Sequence, residues 1–530
     1  MMNINPPEDW QWIGDWLGRR AALTPNHEAL LDPSTERRYS YAKLNDRGNQ
    51  LANLLSDEYN ITKGDRVAFL LHNRIECIDA FSACGKLGAI LVPLNVRLAS
   101  VEHQEYLTNI TPTILIYESA FDKTVNEFRH SLPSLKHFLA VDKTSLKNIQ
   151  PYGPLLKKQP TTSPPRPSLS FEDPFFILPT GGTTGLPKGA VLSHRHVFWN
   201  SVNTIVCWGL GPSDVCPIIF PLYHTGGWNV LLIPLFHVGA RVILWKHFDA
   251  VDTLRRIEQE RCTIIIGVPT MYHMMINAPK FAKTNFNSVR FWLSGGAPCP
   301  VSIMESFWKH DQEFAMGYGL TEVGPNNFYM PHGASKMKPT AVGLPFFHNG
   351  VRVVNDELED VPPGEVGELL LRGPHAFSGY WNNPQATQDV FEPDGWIHTG
   401  DLARQDSDGF YYIAGRKKEL FISGGENVFP IEIERVLDEH PAVDQVAVVG
   451  MPDKKWGEVG CAFIVLKAGA KVSEKELVKF MQSKLARYKV PKRIVFMEVL
   501  PVTSAGKIAK RKLEIQARKI IKNAVKNIET

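Results

Sequence analysis

The sequence predicts an α/β fold divided into a large N-terminal unit and a small C-terminal one. Three observations carry this: short apolar runs of strand length alternate with helical patterns, 530 residues exceed one ordinary core, and the pattern restarts after Arg416. Residues 67–71 read as a strand, 75–87 as a helix ended by Gly88, and 89–92 as the next strand. Residues 113–117 and 138–142 repeat the short apolar strand between helices. Residues 151–170, rich in proline and polar side chains, read as a connecting loop. The run Phe175-Phe176-Ile177-Leu178 then reads as a buried strand. Residues 216–221, a helix after Thr225, and residues 241–244 form a βαβ-like block. Beyond Arg416, Pro430 suits the first position of a helix whose buried stripe is Ile433, Val436 and Leu437. Residues 446–449 and 462–466 read as strands. Ser473 with Glu476 forms a capping box, opening a helix with apolar Leu477, Phe480, Met481 and Leu485.

Composition matches a globular enzyme: 44% hydrophobic and 21% charged residues. The N-terminus has neither a basic region nor an apolar core, so no signal peptide is expected. The longest apolar stretches, such as residues 230–234, fall far short of a membrane span. Seven scattered cysteines without metal-ligand spacing read as reduced, mostly buried thiols of a cytoplasmic protein. The net charge of +3 is uneven: residues 507–530 hold eight Lys or Arg against two Glu, leaving the remainder near −3. Leu513, Ala517, Ile520, Ile521, Ala524, Val525 and Ile528 recur there at helical spacing. Such a helix can rest peripherally on an anionic membrane or dock on its own domain, and docking carries more weight. No broad basic patch supports nucleic-acid binding. A homodimer is one open assembly.

The loop Thr180-Gly181-Gly182-Thr183-Thr184-Gly185-Leu186-Pro187-Lys188-Gly189 follows the 175–178 strand. Its four glycines let backbone N–H groups approach a ligand closely, and its threonines and Lys188 add hydroxyls and a cation. A concavity of this kind suits a polyphosphate. It is not a Walker A loop, because Gly189 stands where Ser or Thr would hold the metal. Further downstream come Ser294-Gly295-Gly296-Ala297-Pro298, Gly317-Tyr318-Gly319-Leu320-Thr321-Glu322, Thr399-Gly400-Asp401, Gly415-Arg416-Lys417-Lys418, Ser423-Gly424-Gly425 and Gly506-Lys507.

These motifs, in this order, resemble those of the adenylate-forming superfamily of acyl-CoA synthetases, peptide-synthetase adenylation domains and luciferases. The likeness spans nearly the whole chain and is greatest to fatty-acid or carboxylic-acid CoA ligases. Gly181 departs from the commoner Ser of that family's loop. The resemblance implies a large N-terminal domain of helix-packed β-sheets with a small β-barrel-like part, residues 1–416. A small mobile α+β lid, residues 417–530, follows.

It further implies that residues Thr180, Gly181, Gly182, Thr183, Thr184, Gly185 and Lys188 hold the phosphates of ATP. Gly296, Ala297 and Pro298 would line the adenine, with Gly317 and Gly319 flanking Tyr318, which would stack on it. Thr321 would meet the α-phosphate and Glu322 a Mg²⁺ ion, which suits a hard oxygen ligand. Asp401 and Arg416 would flank the ribose, and Lys418 would be the hinge. Ser423, Gly424 and Gly425 would pass the pantetheine arm of CoA. Lys507 would bridge the carboxylate and the α-phosphate, with Thr184, Glu322 and His224 completing the catalytic set. His224, Trp228, Met316, Val323 and Gly324 would wall the acyl pocket. The 221–229 block holds no acidic residue to pair an α-ammonium, which disfavours an amino acid.

The implied activity is ATP-dependent ligation of a carboxylic acid, most simply a medium- or long-chain fatty acid, to CoA. An aryl or other acid, a ligase loading a carrier protein, and an inactive acyl- or nucleotide-binding sensor are the alternatives. Intact Thr184, Glu322, Asp401, Arg416 and Lys507 weigh against the sensor.

Overall fold

The computed structural model describes residues 12–180, 187–453, 455–503 and 507–526. Its largest sheet has eight strands, in the spatial order Gly379–Tyr380, Lys188–Ser193, Pro174–Thr180, Ile90–Pro93, Arg66–Leu70, Ile114–Tyr117, His137–Ala140 and Gln150–Pro151. The strands around Arg66–Leu70 run parallel, as the crossover through the helix Ile75–Leu87 requires. Gly88 ends that helix at φ 66°, its N–H bonded to Cys84 O. Strand Lys188–Ser193 returns antiparallel to Pro174–Thr180, so the phosphate-type loop joins two neighbouring strands.

Three parallel strands, Ile264–Gly267, Phe291–Ser294 and Phe314–Met316, form a second sheet. A third joins Val215–Ile218, Arg241–Leu244, Glu28–Asp32 and Arg37–Ser40. A large apolar core runs through these sheets, with Trp228 and Trp292 among its largest buried side chains, and a second cluster around Leu70, Val92 and Tyr117 packs on the largest sheet.

The part expected to be barrel-like is an open sheet. Strands Gly350–Val354, Gly367–Arg372, Ile397–Gln405 and Tyr411–Arg416 pair antiparallel in that order, and the outer two are not joined. Four strands are too few to curl round and enclose a packed interior. The 151–170 segment also differs from expectation, because it begins with a helix, Tyr152–Leu156. Tyr152 and Leu156 are buried, and the Tyr152 hydroxyl donates to Asp79 Oδ2 at 2.7 Å. Long-range packing overrides the local proline content there.

The C-terminal unit is a five-stranded sheet with helices and has its own core around Phe421, Ile433, Leu437, Leu477 and Met481. Pro430 opens the helix Pro430–Asp438, and the Ser473–Glu476 capping box is present. The helix Lys510–Lys526 buries Leu513 and Ala517 against Val449 and Phe463, so its apolar stripe docks on its own domain. Among the described residues no helix is long and apolar enough to cross a membrane. All seven cysteines are free thiols and only Cys207 is half-buried.

Candidate active site

The parallel strands Phe291–Ser294 and Phe314–Met316 end side by side, and their carboxyl ends carry the glycine motifs. Gly295 N–H donates to Gly267 O at 3.1 Å and Gly317 N–H to Ser294 O at 2.8 Å, turning both loops over the sheet edge. Crevices at such carboxyl ends are where open α/β sheets bind ligands. Gly296 has φ 81°, a conformation other residues rarely adopt. Gly319 is packed so tightly that a Cβ would lie 2.2 Å from the Pro325 backbone.

Two clusters stand at this edge. In the first, the Tyr318 hydroxyl donates to Asp401 Oδ2 at 2.6 Å while Arg416 Nε lies 3.1 Å from Asp401 Oδ1. Strands Ile397–Gln405 and Tyr411–Arg416 set this pair by placing Asp401 opposite Arg416. Burial raises the Asp401 carboxyl above its usual range, and the Arg416 charge opposes the shift. A cleft of about 350 Å³ beside it is lined by Thr399, Gly400, Arg416, Lys417 and Lys418.

The second cluster holds Glu322. Its Oε1 accepts from the Tyr380 hydroxyl at 2.7 Å, and its carbonyl accepts from Phe377 N–H at 2.8 Å. The Lys188 ammonium lies 4.8 Å from the centre of the Tyr380 ring. Burial raises the Glu322 carboxyl, with the Tyr380 hydrogen bond and the charges of Arg416 and Lys188 acting the other way. Thr321 beside it is buried.

Lys507 reaches this edge from the C-terminal unit. Thr503 N–H donates to Lys507 O at 2.6 Å and Lys507 N–H to Thr503 Oγ1 at 3.2 Å, which ties Lys507 to Thr503. A Cβ on Gly296 would stand 3.4 Å from Lys507 Cε and 3.9 Å from its Nζ, so the side chain lies over that glycine. Burial lowers the Lys507 ammonium pKa, Arg416 adds to the shift, and Asp401 opposes it. His224 is pushed down to about 4, first by burial and then by the Lys507 charge. Its Nδ1 accepts from Gly226 N–H at 3.1 Å, which leaves Nε2 to carry the proton of the neutral ring.

Of the residues expected around the acyl group, Met316 and Val323 are buried, and Gly324 has φ 74° with a Cβ there falling 2.9 Å from Asn200 Oδ1, so both its backbone and its space favour glycine. Trp228 is fully buried in the same apolar core as Met316 and Val323. Its ring stacks on Phe81 at 5.4 Å, meets Phe176 at 5.5 Å and donates from Nε1 to Leu222 O. It lies on a π-helical turn, Gly226–Val230. Gly424 and Gly425 form the two-residue turn of a hairpin, Ser423 pairing with Glu426, at φ 64° and 89°. Gly424 N–H donates to Trp456 O at 2.8 Å. Gly181, Gly182, Thr183, Thr184 and Gly185 lie outside the described residues. Tyr380, absent from the sequence reading, is the site's main addition.

Comparison with known proteins decides the family. A family model described as AMP-binding enzyme matches residues 17–381, and one for the AMP-binding enzyme C-terminal domain matches residues 432–507. The chain belongs to the AMP-binding enzyme family. Within that family an indoleacetate–CoA ligase of Aromatoleum aromaticum is 37% identical, covering 94% of this chain and 96% of that protein. A long-chain fatty-acid–CoA ligase of Mycobacterium tuberculosis is 32% identical over 95% of this chain and 98% of its own. The crystal structure of an anthranilate CoA ligase with anthranoyl-AMP superposes at TM-score 0.88 and 29% identity, covering 96% and 97% of the two chains. This AMP-binding enzyme is thus an AMP-forming acid–thiol ligase with ATP and CoA as co-substrates.

Proposed function

We propose that the acid this ligase activates is an aryl or arylalkyl carboxylic acid. The observation that carries the reading is the inward Trp228. With the indole sealed into the core, Gly226, where a Cβ would lie 3.2 Å from His224 Nδ1, is the small residue beside His224, and it suits a thin planar acyl group. The aryl-acid ligase among the relatives is also more similar to this chain than the fatty-acid ligase. The fatty-acid reading is favoured by the apolar walls Met316 and Val323.

In the adenylation step the acid's carboxylate attacks the α-phosphorus of ATP and pyrophosphate leaves. Lys507 then stands between two anions and offsets their repulsion, a contribution realised most strongly in the transition state. Neutral His224 covers the acyl side and excludes water, which would hydrolyse the acyl adenylate. Tyr318, Asp401 and Arg416 hold the nucleoside. Glu322 is a single half-buried carboxylate, and among the described residues no cluster of three metal-binding side chains exists. That donor set fits Mg²⁺, which keeps waters and takes substrate phosphates as its other ligands. Bound there, the ion would neutralise phosphate charge.

Residues 417–530 act as a lid pivoting at Lys418, presenting Lys507 for adenylation and the Ser423–Gly425 hairpin for transfer to CoA. The test is pyrophosphate release across aryl, arylalkyl and straight-chain fatty acids, with and without CoA. Turnover with aryl acids that exceeds the best fatty acid by tenfold in kcat/KM is expected. A fatty acid ahead of every aryl acid overturns the substrate reading.

A further inference from the structure

Tyr380 occupies a position no motif accounts for. It sits on the two-residue strand Gly379–Tyr380 at the edge of the eight-stranded sheet, opposite Ala190. Three backbone bonds fix the strand: Ser378 N–H to Val191 O at 2.9 Å, Trp381 N–H to Gly189 O at 2.8 Å, and Phe377 N–H to Glu322 O at 2.8 Å. The Tyr380 N–H also donates to Thr387 Oγ1 at 2.9 Å, and Phe377 packs edge-on against the ring at 5.0 Å. The side chain therefore has little freedom. From this place its hydroxyl reaches Glu322 Oε1 and its ring face meets the Lys188 ammonium.

We propose that Tyr380 is a positioning residue for acid activation, its hydroxyl aiming the Glu322 carboxylate at the metal and its ring holding Lys188 at the phosphates. One side chain thereby sets the spacing between the groups that meet the two kinds of charge in a metal–ATP complex. The hydroxyl can donate to only one carboxylate oxygen, so Oε2 of Glu322 is left to the ion. Carboxylate ligands need such an outer hydrogen bond, and its loss typically costs about 10–100-fold in metal affinity. The ring works separately: a cation over an aromatic face is attracted to it, most strongly where water is scarce. The inference rests on Glu322 being the metal ligand.

Two substitutions separate the roles. Tyr380→Phe keeps the ring and drops the hydroxyl; Tyr380→Leu drops both. Mn²⁺ binding to the whole enzyme with α,β-methylene ATP is read by electron paramagnetic resonance. It is accompanied by the KM for ATP in acid-dependent pyrophosphate exchange and by acyl transfer from a supplied acyl adenylate to CoA. Tyr380→Phe is expected to weaken Mn²⁺ binding about tenfold or more with the ATP KM at saturating metal unchanged. Tyr380→Leu adds a severalfold rise in that KM, and both keep the transfer step. Parent-like Mn²⁺ affinity in Tyr380→Phe overturns the proposal. So does an equal fall of both half-reactions with a lower melting temperature, the mark of a mere structural prop. Glu322→Gln run alongside separates the two readings, since parent-like Mn²⁺ binding there removes Glu322 as the ligand and this inference with it.

Discussion

The nucleotide face of the large domain and the Lys507 turn of the C-terminal unit are held in different ways. On the nucleotide face each charged group has reciprocal partners: Asp401 lies between Tyr318 and Arg416, and Tyr380 between Glu322 and Lys188. Lys507 is tied by its backbone to Thr503, and its side chain reaches across to Gly296 of the large domain. Groups that must hold a ligand through the whole reaction are preorganised. The group proposed for one step alone stands on the other unit.

The sharpest test of this contrast is Lys507→Ala. Adenylation should fall by about 10²–10³, as when a single stabilising donor is lost, while acyl transfer from a supplied adenylate survives. Equal loss in both half-reactions would erase the distinction between the two regions. Glu322→Gln comes next: the magnesium-dependent rate should drop by roughly 10², because a charge in a water-poor site is lost. An unchanged magnesium titration would remove Glu322 from the site.

Gly424→Leu probes the lid's other face. Positive φ and a Cβ only 2.8 Å from the Trp456 ring both oppose a side chain, and the backbone alone contributes about 1–2 kcal/mol of strain. Thioester formation should fall by about tenfold, set against that strain, with pyrophosphate exchange retained. Loss of exchange as well would make the hairpin purely structural.

The smallest effect concerns Asp438, whose carboxyl is pushed up to about 7 by burial and then by Glu434 and Asp444. A carboxyl raised in the folded state stabilises it only while protonated, so stability should decline between about pH 4 and pH 7. Asp438→Asn should flatten that decline in melting curves taken at pH 5 and pH 8. A parallel decline in both proteins would exclude Asp438 as its source.

Much of this arrangement was legible because it is local. The Gly88 stop, the Pro430 start and the Ser473–Glu476 box each need only a few neighbouring residues, and each stands as read. What escaped depends on distant packing. Tyr380 lies 58 residues from Glu322 and joins it only when an edge strand pairs with Lys188–Ser193. Hydrophobicity alone gives Trp228 no direction, and its packing on Phe81 and Phe176 comes from residues far away in the chain. The helix Tyr152–Leu156 hides inside a proline-rich stretch because its reward is a buried hydroxyl bonded to Asp79. Open or closed, an antiparallel sheet has the same alternation along each strand, so the absent barrel closure left no trace in the pattern.

Arg416 clasps Asp401, and Lys417 N–H donates to Gly400 O at 2.9 Å immediately before the proposed pivot. Points near an axis travel least when a body turns about it. With the proposed pivot, a nucleotide grasped there would stay almost stationary while the rest of the lid swept past, and the activated acid would pass from one chemistry to the next without being set down. Protection of a hydrolysable intermediate then becomes a matter of where the axle is fixed, and tight binding is not its only safeguard.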